Sequence, residues 1–435
     1  MTMSQGRIVR PLGAFERTID FYTHRNPVQF SLVAELDRRV RASTLASALA
    51  ALQDRHPLLA VAVDRAVPEA VFRASEGAIP YETAADGTPW QSVVAVEQTR
   101  PIPPTPGPLA RAVLVPQESG CAVVLTFAHQ IADGVGGLRA LLDLVAALDG
   151  EELAPSRVPE AQEELLARVG AAADAGNAAT STPSEDDERM SAIGELMPFS
   201  GRRPHVDALA QDQGLTARLV RRCRWERASV HAALCAAATV VLHRRGREFV
   251  RVLSPVDLRR SVDLPDEVVV RFAGARTGSV AHDVNDFWAL ARRTRESLSR
   301  QRTPQALKGG STALAEHPPA SHTDAEAMMT AATAADIQIT NLGVAHPSRQ
   351  NLSALSALWG PAQITQLRGE HVLGVVTVGG QLRMTELTHT PVAELVPEMG
   401  AVLAEACAES PSGGRSERDT EVQTPARTNG VDHFL

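Results

Sequence analysis

Apolar residues along this chain fall into short segments of two different periods, and the two kinds alternate. Phe30 to Leu36, Ala110 to Val115 and Ala122 to Phe127 are runs rich in β-branched and aromatic residues, the pattern of buried strands. Leu45, Ala48, Leu49 and Leu52 instead mark an amphipathic helix that ends before His56-Pro57, and Leu138, Leu141, Leu142 and Val145 mark another. The alternation continues in the second half. The pattern predicts a strand over Arg218 to Cys223, an almost wholly apolar helix over Ser229 to His243, and a strand from Phe249 to Pro255. A helix from Asp286 to Leu298 and a strand from Asp336 to Thr340 follow. Gly379-Gly380 marks a two-residue hairpin turn, and a last helix runs from Pro391 to Cys407 with Thr390 as its N-cap.

Two stretches carry little pattern. Glu151 to Glu188 is rich in Ala, Glu and Ser and reads as an exposed linker or loose helix. Thr303 to Ala335, rich in Ala, Thr and Gly, reads as a mobile lid or a disordered loop. The chain therefore divides into a first α/β half over 1–150, a linker over 151–197, a second half over 198–409 and a disordered tail over 410–435. At 435 residues it is long enough for two domains.

Composition narrows the partners. With 44% hydrophobic and 22% charged residues the chain reads as an ordinary soluble globular protein. A formal net charge of -8 argues against nucleic acid and against a basic membrane-binding face. The apolar stretch Ala228 to Leu242 is too short to span a bilayer and contains His231. Cys121, Cys223, Cys235 and Cys407 have no metal or redox spacing, and Met1 to Arg10 has no apolar leader core; both point to the cytoplasm. Without HExxH, a P-loop or GxGxxG, neither a metal nor a nucleotide cofactor is indicated.

The segment with chemistry is His129-Gln130-Ile131-Ala132-Asp133-Gly134. It delivers a histidine at the end of a strand, just before a glycine-rich helix start, where a base can be held rigidly against a substrate proton. The plainer reading is a strand-end histidine bonded to a loop, with Asp133 capping the helix. Leu387-Thr388-His389 faintly echoes Leu125 to His129, as two related halves would. His231, His371 and His389 lack ligand spacing and read as packing or surface residues.

Taken together, His129 to Gly137, Arg55-His56-Pro57-Leu58-Leu59, Pro255-Val256-Asp257-Leu258-Arg259 and Thr340-Asn341-Leu342-Gly343 resemble the HxxxDG acyltransferase superfamily. That superfamily includes chloramphenicol acetyltransferase, plant alcohol acyltransferases and the condensation domains of nonribosomal peptide synthetases. The nearest resemblance is to stand-alone, polyketide-associated acyltransferases of actinobacteria, of the phthiocerol dimycocerosyl transferase type. Four motifs in the family's order are far more specific than one.

The resemblance implies a pseudo-dimer of two chloramphenicol-acetyltransferase-like halves with a tunnel at their interface and His129 in its middle. It implies an acyl group moving from a thioester donor, acyl-CoA or a phosphopantetheinyl acyl carrier protein, to a hydroxyl of a small secondary metabolite. His129 would be the general base. Asp133 would point away from the tunnel and pair with Arg259, and Gly134 would be needed because a side chain there would crowd the tunnel or the turn. The oxyanion donors would be backbone N–H groups of Gly134 to Gly137, with Asn341 either lining the tunnel or forming a turn. No GxSxG or Cys-His signature supports a covalent acyl-enzyme. Many condensation domains have a second histidine where this chain has Ala128, which makes peptide-bond formation less expected. Amide formation, a cyclisation, or a non-catalytic module that recruits a carrier remain the alternatives. The protein is expected to act as a monomer. Arg292, Arg293, Arg295, Arg300 and Arg302 would supply a local basic patch for an acidic carrier protein.

Overall fold

In a computed structural model the described residues are 6–67, 69–169, 185–347 and 354–408. The expectation for the tail over 410–435 falls outside them, as does the middle of the linker. The first half is built on a five-stranded sheet in the order β12-β2-β7-β6-β5. These strands are β2 (Gln29–Leu36), β5 (Tyr81–Thr83), β6 (Ala110–Pro116), β7 (Cys121–Ala128) and β12 (Leu355–Gln363). Every residue of the central strand β7 is buried, which is why its sequence is a continuous apolar run rather than an alternation. Helices α2 (Ala42–Arg55) and α4 (Gly134–Leu148) bury Leu45, Leu49, Leu52, Leu141 and Leu144 against it. A small sheet, β1 (Ile8–Pro11), β4 (Val71–Ala74) and β3 (Val61–Asp64), flanks this body.

The second half is a six-stranded sheet in the order β10-β9-β11-β13-β14-β8. Its strands are β8 (His205–Ala210), β9 (Phe249–Asp257), β10 (Phe272–Val280), β11 (Ile337–Val344), β13 (His371–Val378) and β14 (Gln381–Thr388). Strand β11 runs parallel to both β9 and β13; the other pairs are antiparallel. Helices α7 (Gln213–Trp225), α8 (Val230–Arg244), α10 (Phe287–Gln301) and α13 (Leu395–Ala408) form its outer layer. Helix α8 is buried along nearly its whole length, so its sequence shows almost no polar face. Gly379 and Gly380, both at positive φ, turn β13 into β14 as a two-residue hairpin.

The halves are not separate along the chain. Strand β12 comes from the second half's sequence yet pairs with β2 in the first sheet, with Trp359 opposite Val33 and Ala362 opposite Ser31. Helix α3 (Trp90–Glu97) lies in the apolar layer that joins the sheets, where Trp90 and Val94 share a cluster with Ala362 and Leu387.

Four expectations are corrected. Arg218 to Cys223 belongs to helix α7, whose buried Leu215, Leu219 and Cys223 repeat at helical spacing; the intervening arginines mask that period. Thr303 to Ala335 holds two helices, α11 (Pro304–Glu316) and α12 (His322–Thr333), capped by the Thr303 and Ser321 side chains. The last helix begins at Leu395, because Glu394 adopts a positive φ and Pro391 lies in the turn before it. The stretch after Glu151 is not simply exposed. Helix α5 (Gln162–Arg168) buries Leu165 and Leu166, and Glu163 accepts a 2.8 Å hydrogen bond from the Phe15 N–H of helix α1 (Ala14–Thr23). A further short helix, α6 (Glu185–Ser191), precedes β8.

Candidate active site

Strand β7 ends at Ala128, and the chain turns at once through His129 to Asp133 into α4. His129 is 8% exposed and its ring lies between Phe30 and Phe272, with centroids 5.2 and 5.5 Å away. Phe30 comes from the first sheet and Phe272 from β10 of the second, so the imidazole is gripped by both halves. Its Nδ1 is sealed and has no hydrogen-bond partner among the described residues. Burial pushes its pKa below the ordinary histidine value; the neighbouring backbone at His129 and Ala132 and the Asp133 carboxylate oppose this without reversing it. The neutral imidazole is therefore the resident form near neutral pH.

Asp133 faces the other way. One carboxylate oxygen caps α4 by accepting from the Gly136 N–H at 2.7 Å. The other accepts from Arg259 Nη1 at 2.9 Å and from the Arg271 N–H at 2.7 Å. Arg259 sits on α9 (Leu258–Ser261), a single turn that continues from β9, and donates further to the Val269 and Glu267 carbonyls at 2.8 and 3.0 Å. Both side chains are buried, with the Asp133 charge holding the guanidinium pKa up against burial. This ion pair ties the turn after His129 to the second half, and it leaves the carboxylate no part as an orienting partner of the imidazole ring.

The glycines divide by position. A Cβ at Gly134 would stand 2.9 Å from Leu342 Cδ2 and 3.3 Å from Pro361 Cγ, both on the cavity wall. A Cβ at Gly137 would strike the Phe30 ring at 2.6 Å, so Gly137 is required for packing under that ring and does not line the cavity. The N–H groups of Gly136 and Gly137 both donate to Asp133 at 2.7 Å. Those of Gly134 and Val135, at the cavity edge, meet no acceptor among the described residues. Asn341 lines the cavity and also makes a local turn, its Oδ1 accepting from the Gly343 N–H at 2.9 Å.

The Arg55-His56 motif is remote from this chemistry. Arg55 Nε and His56 Nε2 both engage Asp143 on α4, at 2.7 and 2.8 Å, and so brace the helix that follows the site.

The cavity beside His129 has a volume of about 180 Å³, is partly open to solvent, and lies between the two sheets. Helices α1 and α12 close one side with Phe15, Ile19, Tyr22 and Met329. Strands β11 and β12 supply the polar side. Sequence reasoning missed the α1, α12, β10 and β12 contributions. Only the Ser321 cap of α12 was available as a signal. Among the described residues no group of side chains could hold a metal ion, and no helix is long and apolar enough to cross a membrane.

The arginines of α10 are largely engaged within the chain. Arg292 pairs with Glu226, Arg293 with Asp283 and Arg300 with Glu296 at 2.7, 2.7 and 2.9 Å, while Arg295 donates to the Arg227 carbonyl at 2.7 Å. The Arg292, Arg293 and Arg300 side chains remain exposed, so the basic patch expected there is partly offset by neighbouring carboxylates rather than removed.

Residues 200–356 match the family model for the phthiocerol/phthiodiolone dimycocerosyl transferase C-terminus. Solved structures match along nearly the whole chain. Polyketide synthase associated protein 5 from Mycobacterium tuberculosis is 18% identical with a TM-score of 0.62, over 92% of this chain and 98% of that one. The first condensation domain of the CDA synthetase is 14% identical with a TM-score of 0.66, over 92% and 97%. The fold is that of the condensation domains. The epimerization domain from the third module of tyrocidine synthetase B shares it at 13% identity and a TM-score of 0.60, over 94% of this chain and 97% of that one. No curated protein matches by sequence.

Proposed function

We propose that this condensation-fold protein is an acyltransferase that moves an acyl group from a thioester to a hydroxyl, with His129 as general base. The observation that carries the reading is the setting of His129: a buried, neutral imidazole facing a cavity between two halves, while Asp133 is turned away to lock the loop. The acceptor O–H gives its proton to Nε2 as its oxygen bonds to the thioester carbon. Collapse of the tetrahedral oxyanion breaks the C–S bond, and the sulfur leaves with that proton as a free thiol. The free N–H groups of Gly134 and Val135, at the start of the fifteen-residue helix α4, are the proposed oxyanion donors. With one base and no partner carboxylate, the same arrangement serves an amine acceptor; the absence of a second histidine at Ala128 favours the alcohol.

The donor is proposed to be acyl-CoA or an acyl carrier protein, in keeping with the polyketide and nonribosomal context of the similar structures. The test is turnover of purified protein with acyl-CoA and acyl-carrier-protein donors and an alcohol acceptor, read as free thiol and ester. Ester formation that His129→Ala abolishes supports the proposal. Thiol release without acyl transfer, or no reaction with either donor, overturns it. Racemisation of a carrier-bound residue would assign the site to the chemistry named for the epimerization domain.

A further inference from the structure

Several buried amides in the body of the fold are well bonded. Gln29 Nε2 donates to the Glu97 and Arg100 carbonyls, Gln98 to Ser31 and the Ala362 carbonyl, and Gln130 to Thr23 and Asp20. Two amide atoms elsewhere that lack a partner, Gln162 Oε1 and Gln211 Nε2, are sealed in the fold. Three amides on the wall of the His129 cavity instead carry free atoms that are not sealed. Gln363, on β12 and 7% exposed, makes no side-chain hydrogen bond among the described residues. Gln338, on β11, donates to Thr340 Oγ1 at 3.3 Å, which leaves its Oε1 without a donor. Asn341 uses its Oδ1 on the Gly343 N–H, which leaves its Nδ2 without an acceptor.

None of these free atoms is among the sealed, unpartnered polar atoms of the fold, so each reaches open space. For Gln363 and Gln338 that space is the cavity, and Asn341 lines both the cavity and a smaller pocket beside α7. Gln363 also stands opposite Phe30 in the strand register, and Phe30 is the ring against His129, so this amide belongs to the wall next to the base. The facing wall from α1 and α12 is largely apolar, with Phe15, Ile19 and Met329. Amides facing a cavity open to solvent are hydrated when no ligand is bound. A bare hydrocarbon chain would displace that water and replace none of its bonds, which weakens binding.

Resting on the acyltransferase reading, we infer that the substrate chain occupying this cavity is oxygenated: it carries hydroxyl or keto groups, away from the reacting atoms, that Gln363, Gln338 and Asn341 hydrogen-bond. A saturated fatty chain of the same length is the disfavoured competitor. The oxygenated chain belongs either to the acyl donor or to the acceptor, and two arms of one experiment separate these sources. In the first, octanoyl-CoA competes with its 3-hydroxy derivative for one fixed alcohol. In the second, octan-1-ol competes with octane-1,2-diol for one fixed acyl-CoA.

The expected result is a preference in kcat/KM of at least roughly 10-fold for the oxygenated member in one arm, falling several-fold or more in Gln363→Leu and Gln338→Leu. Because the preference is a ratio within each variant, partial misfolding cannot mimic it. A ratio near one in both arms, or a preference unchanged in both variants, overturns the inference while leaving acyl transfer intact. Saturation-transfer NMR of octan-1-ol and octane-1,2-diol on the same proteins provides a readout without turnover. Selective diol binding that Gln363→Leu removes, in a protein that transfers no acyl group, keeps the inference and sinks the acyltransferase reading. If there is no turnover and neither alcohol binds the wild-type protein, the inference is overturned as well.

Discussion

Each half of the molecule ends a strand on a histidine and leads from it toward a helix, but only one of the two places is built as a site. After β7, His129 is followed within four residues by Asp133, which caps α4 and clamps Arg259 across the interface. After β14, His389 is followed by a longer turn, with Glu394 at positive φ, before α13 begins. Among the described residues, the only side-chain bond made to that turn's histidine is Arg202 donating to its carbonyl at 3.0 Å. Burial lowers both imidazole pKa values, and both Nδ1 atoms are sealed and unpartnered. Titration behaviour therefore does not separate them. What does is the surroundings: His129 has a cavity in front of it and a buried ion pair behind it, and His389 does not line that cavity.

The sharpest way to break the comparison is to remove each imidazole. His129→Ala is expected to lower turnover by roughly 10²–10⁴-fold with the fold retained, as loss of a general base does. His389→Ala should leave turnover near that of the wild type. Equal losses in steady-state assays would show that the two turns are not functionally different.

The clamp is tested next. Arg259→Ala should cost about 3–5 kcal/mol in chemical denaturation, because it leaves the buried Asp133 carboxylate without its cation. Asp133→Ala should cost less, because Arg259 keeps Asp257 Oδ1 at 3.1 Å. The double variant should lose clearly less than the sum of the two. Arg202→Ala, on the other turn, should change stability by no more than about 0.5 kcal/mol. Additive losses at Asp133 and Arg259 would mean that the pair does not hold the halves together.

A smaller effect is expected at Gly137→Ala, where the new methyl meets the Phe30 ring and through it the imidazole. Overpacking of this kind costs about 1–3 kcal/mol, read as a lowered Tm. A variant as stable as the wild type would show that Phe30 has room to retreat from His129.

The pH responses of the halves should separate as well. His129 must be neutral to act, and its pKa is lowered, so turnover should fall only below about pH 6.5, the ordinary histidine value. His231, in the second half beside Ser254 Oγ at 2.7 Å, is pushed down to about 4 by burial, with Arg302 adding to the effect. The unfolded chain takes up that proton near 6.5 and the folded one only near 4. Stability should thus be full above pH 6.5 and decline as pH falls toward 4. An acid limb of turnover above pH 7 would contradict the first expectation, and His231→Gln with an unchanged acid limb of stability would contradict the second.

The parts legible from sequence were those where one face of an element is buried and the other is not, or where burial is complete. Strand β7, the His129 turn, α4, α8 and the Gly379-Gly380 hairpin all belong to this class. Helices α11 and α12 escaped because alanine and threonine make a weak apolar stripe; Leu307 is the one buried residue of α11. Helix α7 read as a strand because its arginines interrupt the period. The cavity wall was hardest to foresee. Gln338, Gln363 and Phe272 meet His129 only through strands far apart in the chain, and nothing local distinguishes them.

Strand β12 has a consequence for how the protein is made. Its Trp359 N–H reaches the Glu35 carboxylate across 324 residues of sequence. A growing chain therefore completes most of its first sheet long before the strand that covers the outer edge of β2 has left the ribosome. During that interval the β2 edge stands bare, with backbone groups open to any extended neighbour. Synthesis paused or truncated before Leu355 would leave an adhesive fragment, and a gene cut between the halves would not yield two interchangeable modules.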